Sequence, residues 1–254
     1  MKLKELDRYF RELLPIDEFE GTDPSLNGIQ ISRIDEDIKK VAFTVDASME
    51  AFRRACDWGA DILFVHHGLL WGNKAMRIDG IYYRRLKFLL EHDLALYAVH
   101  LPLDMHPEYG NNAGLVKLLN LTDVEPFGEY RGCKIGFKGK FKNRMSFDEI
   151  LQILGAERQA CAGLLQFGPE EITTVGIVSG SAPKEIEQAI QEELDLFLTG
   201  EISHENYHLS LEGNINLIAA GHYKTEIWGV KQLSEKLKED RSVETCFMDI
   251  PTGL

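Results

Sequence analysis

The chain has few of the features that would tie it to an export route, a membrane or a nucleic acid. Its 4 cysteines, Cys56, Cys133, Cys161 and Cys246, are scattered and form no CxxC pair. Neither a disulfide framework nor a thiolate zinc site is therefore expected, and a reducing cytoplasm is the expected location. No uninterrupted apolar stretch reaches the roughly 18 residues of a membrane span. Leu3, Leu6, Phe10, Leu13 and Leu14 recur at helical spacing, but Lys2, Lys4, Glu5, Asp7 and Arg8 interrupt them, which makes an amphipathic helix rather than an export signal. Basic residues are outnumbered 28 to 41, and the formal charge of -13 repels phosphate backbones and anionic lipid. Direct nucleic-acid binding and membrane association are not expected. There is no GxxxxGK[ST] phosphate loop, and no Gly, Pro or Ser-rich linker separates independent domains.

What is present is an alternation of strand and helix signals. The apolar run Val41 to Val45, the amphipathic stretch Ser48 to Trp58 and the run Ile62 to Val65 read as strand, helix and parallel strand. A helix over 80–92 leads into a third strand, Leu94 to Val99. The series repeats from Thr173: a strand at Val175 to Val178, a helix from Pro183 to Glu192, and a strand at Leu194 to Leu198. A helix near Ser203 to Leu211, a strand at Ile215 to Ala220, a helix from Thr225 to Lys238 and a strand at Val243 to Ile250 follow. Between the two series, Gly132, Gly136 and Gly139 alternate with Ile135, Phe137 and Phe141 as in a hairpin, and Phe147 to Leu154 reads as a helix.

Lys39 to Gly68 can be laid over Thr173 to Ile202 without a gap, with Val41 on Val175, Phe43 on Ile177, Asp61 on Asp195 and Phe64 on Leu198. Leu96 to His100 similarly resembles Ile218 to His222. The pattern suggests an internally duplicated α/β unit, against the alternative that any two βαβ units share such apolar spacing.

Side chains that carry chemistry in open α/β sheets gather beyond the carboxyl ends of strands. His66 and His67 close the strand Ile62 to Val65, His100 to His106 close the third strand, and His222 with Glu226 follow the strand Ile215 to Ala220. Each motif has an ordinary reading as well: a satisfied loop histidine, a surface His–Glu pair at helical spacing, an Asx turn at Asp104 between Pro102 and Pro107. Together they supply three imidazoles and two carboxylates, a nitrogen and oxygen mixture suited to zinc, iron, manganese or nickel. Five such ligands, His66, His67, Asp104, His222 and Glu226, suit two divalent cations with open positions. The expected chemistry is hydrolysis, with Glu226 able to bridge the ions. His100 is the first candidate for a residue that orients ligands or carries a proton, with His106, His204 and Glu201 behind it.

The same residues resemble a known family, the type-2 GTP cyclohydrolase I homologues, or Nif-three-like proteins. The matching segments are Leu26 to Gln30, Val65 to Gly68, His100 to Pro107, Gly110 to Asn112, Thr199 to Glu201 and Ala220 to His222. The resemblance implies a dinuclear centre with His66 and Asp104 mainly on one cation, His67 and His222 mainly on the other, and Glu226 on both. It also implies duplicated, intertwined α/β repeats assembled as a homohexamer, and a nucleotide or related small molecule as substrate. The expected division is a first repeat over 1–124 and a second over 125–254, with 215–254 packing back near the first to complete the site. A metal-dependent hydrolase is the leading expectation. A metal-binding scaffold or regulatory partner without catalysis is the alternative, favoured if the coordination shell is closed.

Overall fold

The helix expected after Val45 begins where Ser48 accepts a hydrogen bond from the backbone of Ala51, and it stops at Gly59, whose left-handed φ of 79° few other residues adopt cheaply. Such local stops shape the computed structural model, which describes residues 1–72 and 77–254. Its strands, in chain order, are β1 (Gly28–Ile31), β2 (Lys40–Asp46), β3 (Ile62–His67), β4 (Ala95–Ala98), β5 (Thr122–Tyr130), β6 (Cys133–Met145), β7 (Gly163–Gln166), β8 (Ile172–Ile177), β9 (Leu196–Thr199), β10 (Asn216–Ala219) and β11 (Glu244–Phe247). Among the described residues no helix is long and apolar enough to cross a membrane.

The chain divides into two compact units. The first comprises Met1–Leu103 with Val230–Ile250, and the second Asp104–Gly229 with Pro251–Leu254. In the first, a five-stranded sheet has the order β1-β4-β3-β2-β11. Alternation along its strands fills two layers. Ala42, Leu63, Val65 and Leu96 meet Ala51, Phe52 and Ala55 of the helix Met49–Trp58. On the other side Phe64 stacks between Phe43, Tyr97 and Phe10 of the helix Leu3–Leu13, with ring centroids 5.0, 5.5 and 4.8 Å away.

The second unit holds a six-stranded sheet of order β5-β6-β8-β9-β10-β7. The glycine-rich stretch forms the expected hairpin, β5 and β6, turning at Arg131 and Gly132, both at positive φ. Ser146 and Glu149 close a capping box on the helix Phe147–Ile153, which buries Ile150 and Leu151 in a core with Val175, Leu196 and Ile218.

The duplication extends to hydrogen-bond register. Val41 pairs with Ile62 and Phe43 with Phe64 across β2 and β3; at the corresponding positions Val175 pairs with Leu196 and Ile177 with Leu198 across β8 and β9. Asp61 accepts from the backbone N–H of Lys39 and Lys40, and Asp195 from those of Thr173 and Thr174, again at corresponding positions. At the third strand the structural register departs by one residue from the match of Leu96–His100 to Ile218–His222. Ala95 opposite Ile62 corresponds to Asn216 opposite Leu196, so His100 corresponds to Gly221 and not to His222. Apolar similarity alone left that register free by one residue, and a slip of one exchanges the faces of a strand.

Burial opposes ionisation of Asp61 and Asp195, but the donors around them outweigh it. Arg33 and two backbone N–H groups hold the first carboxyl below its ordinary 3.8; the Thr173 hydroxyl with backbone N–H groups holds the second. Because each folded-state pKa is depressed, the stabilisation is complete above the unfolded value and disappears as pH falls through the folded one. Asp61→Asn and Asp195→Asn should each lower stability by about 1–3 kcal/mol at pH 7. In urea titrations repeated at decreasing pH, that deficit against wild type should shrink below about pH 4. A deficit that stays constant down to acid pH would show that the charge of these carboxylates is not what ties the strands.

Candidate metal centre

Four elements carry the expected residues. In the first unit, β3 continues through His66 and His67 instead of ending at Val65, and β4 delivers His100 two residues beyond its end. His66 is fully buried, and its Nδ1 lies 2.9 Å from the carbonyl oxygen of Val99. A carbonyl only accepts, so the proton sits on Nδ1 and the lone pair on Nε2. His67 places Nδ1 2.8 Å from Asp46 Oδ1, and His100 places Nδ1 2.8 Å from Asp23 Oδ1. All three rings therefore commit Nδ1 to an acceptor and keep Nε2 as the basic nitrogen. One ring nitrogen of each lies within 4.8 Å of one of the other two, and the His66 and His67 ring centroids are 4.6 Å apart.

In the second unit the helix His222–Asp240 starts at the histidine itself, so Glu226 stands one turn later on the same face. His222 Nε2 is 3.0 Å from Glu226 Oε2, and its Nδ1 is 2.6 Å from Glu201 Oε1. Burial disfavours the charged imidazole, but Glu226 and Glu201 outweigh it and push its pKa up to about 9. Asp104, 5 % exposed, accepts from the Asn111 amide at 2.9 Å and the Ser179 hydroxyl at 3.1 Å. A carboxylate oxygen of Asp104 lies within 4.8 Å of one of Glu226. Two nearly buried carboxylates this close repel each other, and a divalent cation is a counter-charge suited to such a pair. The donor chemistry of both units thus fits divalent cations: in the first, imidazoles whose Nδ1 is committed to an acceptor; in the second, a protonated imidazole that a cation could replace as the counter-charge of Glu226, and carboxylates already oriented by hydrogen bonds.

A family model described as Duf34/NIF3 (NGG1p interacting factor 3) matches residues 1–253. The chain belongs to that family. The GTP cyclohydrolase 1 type 2 homolog of Archaeoglobus fulgidus is 45 % identical to this Duf34/NIF3 chain over 254 residues, covering 100 % of both. Among solved structures, TTHA1606 from Thermus thermophilus is 39 % identical with a TM-score of 0.87, again over 100 % of both chains. The protein ybgI, of unknown function, is 34 % identical with a TM-score of 0.90 over 100 % of both chains.

Within this family member, Glu201 meets His222 as a partner, whereas His106 serves its own turn, accepting at Nδ1 from the backbone of Tyr109 and Glu108. His204 and His106 belong to no group of potential ligands among the described residues. Sequence reasoning missed Asp46, Asp23, Ser179 and Gly180. Gly180 has φ +67°, and a Cβ there would stand 2.0 Å from Glu226 Oε1 and 3.3 Å from His222 Nε2. The Ser179-Gly180-Ser181 run following a strand was the available signal, since small residues there admit a close approach.

Gly180→Ala therefore collides with a candidate ligand and also strains the backbone. It should cost about 1–3 kcal/mol of stability and weaken cation uptake. Thermal unfolding with elemental analysis checks this; unchanged cation content would mean that Glu226 is not needed in its present position.

Proposed function

We propose that this protein binds two divalent cations through His66, His67, Asp104, His222 and Glu226 and hydrolyses a nucleotide or related small molecule with their help. The observation that carries this reading is the commitment of Nδ1 in each of the four imidazoles His66, His67, His100 and His222 to an acceptor, which leaves Nε2 as the nitrogen for a cation or a proton. Divalent cations would supply the positive charge that polarises a scissile bond and makes water acidic near neutral pH. The chain's own residues do the rest. Asn111 and Ser179 keep Asp104 aimed, and Gly180 leaves room for Glu226. His100, with its proton on Nδ1, offers Nε2 as the base that takes a proton and returns it to a leaving group.

The name of its relatives makes GTP the first substrate to try. Self-association belongs to the same reading. Tyr83 and Leu90, seven residues apart and so on one face of the helix Gly80–Glu91, are 52 and 64 % exposed, a surface that assembly into a hexamer would cover. Sedimentation of the purified protein tests that, and a monomer at micromolar concentration would rule it out.

Purified protein should hold about two divalent ions per chain, and Glu226→Ala should reduce both. Asp104→Asn nearly preserves size while removing a ligand charge, and it should lower kcat at least about 100-fold with a small change in melting temperature. Metal-loaded protein that turns over none of a panel of nucleotides and cyclic amides would leave a scaffold role in place of catalysis.

A further inference from the structure

The segment Asp23 to Gln30 contributes none of the proposed ligands, yet its side chains reach both histidine-bearing loops of the first unit. At one end Gln30 Oε1 accepts from the backbone N–H of Leu69 and Leu70 at 2.7 and 3.0 Å, and Nε2 donates to the carbonyls of Leu26 and Leu70. Gly68, next to His67, makes this possible: a Cβ there would lie 2.4 Å from the Gln30 amide. At the other end Asn27 Oδ1 accepts from the N–H of His100 at 2.8 Å while its Nδ2 donates to Asp23 Oδ2 at 2.9 Å.

Asp23 is the centre of this second arm. Its side chain is fully buried. Oδ1 accepts from Ser25 N and His100 Nδ1, both at 2.8 Å, and Oδ2 accepts from Asn27 Nδ2 and Leu101 N, both at 2.9 Å. An ionised carboxylate has about four lone-pair sites. All are used, so Asp23 has nothing left to offer a cation. Of the four donors, three are amides that a purely structural role would explain. The fourth is the ring N–H of His100, whose centroid lies 5.0 Å from that of His66 and 5.8 Å from that of His67.

We infer that Asp23 is a positioning residue acting through His100: it fixes the ring's rotation and keeps the proton on Nδ1, so that Nε2 is the basic nitrogen presented toward His66 and His67. Its effect on turnover rests on the metal-dependent hydrolase reading. Its effect on the tautomer does not.

The test uses the full chain labelled with 15N-histidine, as purified and after zinc loading, with the His100 signals assigned by their loss in His100→Gln. Long-range 1H–15N spectra of the wild type should show Nδ1 protonated and Nε2 bare. Asp23→Leu, similar in size but with no acceptor, should move His100 toward the Nε2-protonated form. It should also lower kcat about 10–100-fold with little change in KM or in bound zinc. Asp23→Asn can keep one acceptor oxygen on His100 Nδ1 while setting its N–H2 against the donors of Asn27 and Leu101, so it should keep the wild-type tautomer and more of kcat than Asp23→Leu, with a lower melting temperature than the wild type. A proton on Nε2 of His100 in the wild type, or a tautomer that ignores Asp23→Leu, overturns the inference. If Asp23→Leu fails to fold, the wild-type tautomer together with the Asp23→Asn rescue decides it. If the tautomer shifts as expected but the wild type binds no cation, the hydrolase reading fails and the positioning of His100 stands.

Discussion

An imidazole has two nitrogens, and the chemistry of this protein depends on how the fold uses one of them. Val99, Asp46, Asp23 and Glu201 each face the Nδ1 of a different histidine. Each acceptor comes from the same unit as the histidine it holds, so the orientation of every ring is a property of local packing. Ring rotation is removed before any ligand arrives, which lowers the entropic cost of binding one.

The acceptors differ in consequence. A backbone carbonyl holds His66 in one tautomer without adding charge, whereas the acceptors at His67, His100 and His222 are carboxylates that also place negative charge beside the ring. At His222, flanked by two carboxylates, that charge lifts the pKa to about 9. A cation bound there would compete with that proton, and its uptake near neutral pH would release one. Small residues complete the arrangement. Gly200 lies where a Cβ would meet the Gly180 carbonyl at 2.7 Å and the His222 Cα at 2.8 Å, so the strand ends can crowd around the helix start only because glycine occupies both places.

The duplicated register explains why the two units resemble each other without carrying the same side chains at corresponding strand ends. Asp61 and Asp195 tie their strand pairs in the same way, yet the positions that hold His66 and His67 in the first unit are Gly200 and Glu201 in the second. At these positions the first copy carries two imidazoles, and the second carries a glycine and the carboxylate that holds His222.

The strand–helix alternation was legible in the sequence, because apolar runs bounded by Ser48, Gly59 and Pro183 carry their own starts and stops, and the placement of His66, His67, Asp104, His222 and Glu226 at or just beyond strand ends marked them as candidates. The sequence did not show β1 and β7. These are four-residue antiparallel edge strands whose existence depends on ladders with β4 and β10, not on a pattern of their own. Nor did it place Asp23 beside His100, 77 positions later, or Asp46 beside His67. Those contacts, the tautomers they impose and the room left by Gly180 were decided by tertiary structure, since a hydrogen bond between distant residues leaves no periodicity in the chain that encodes it.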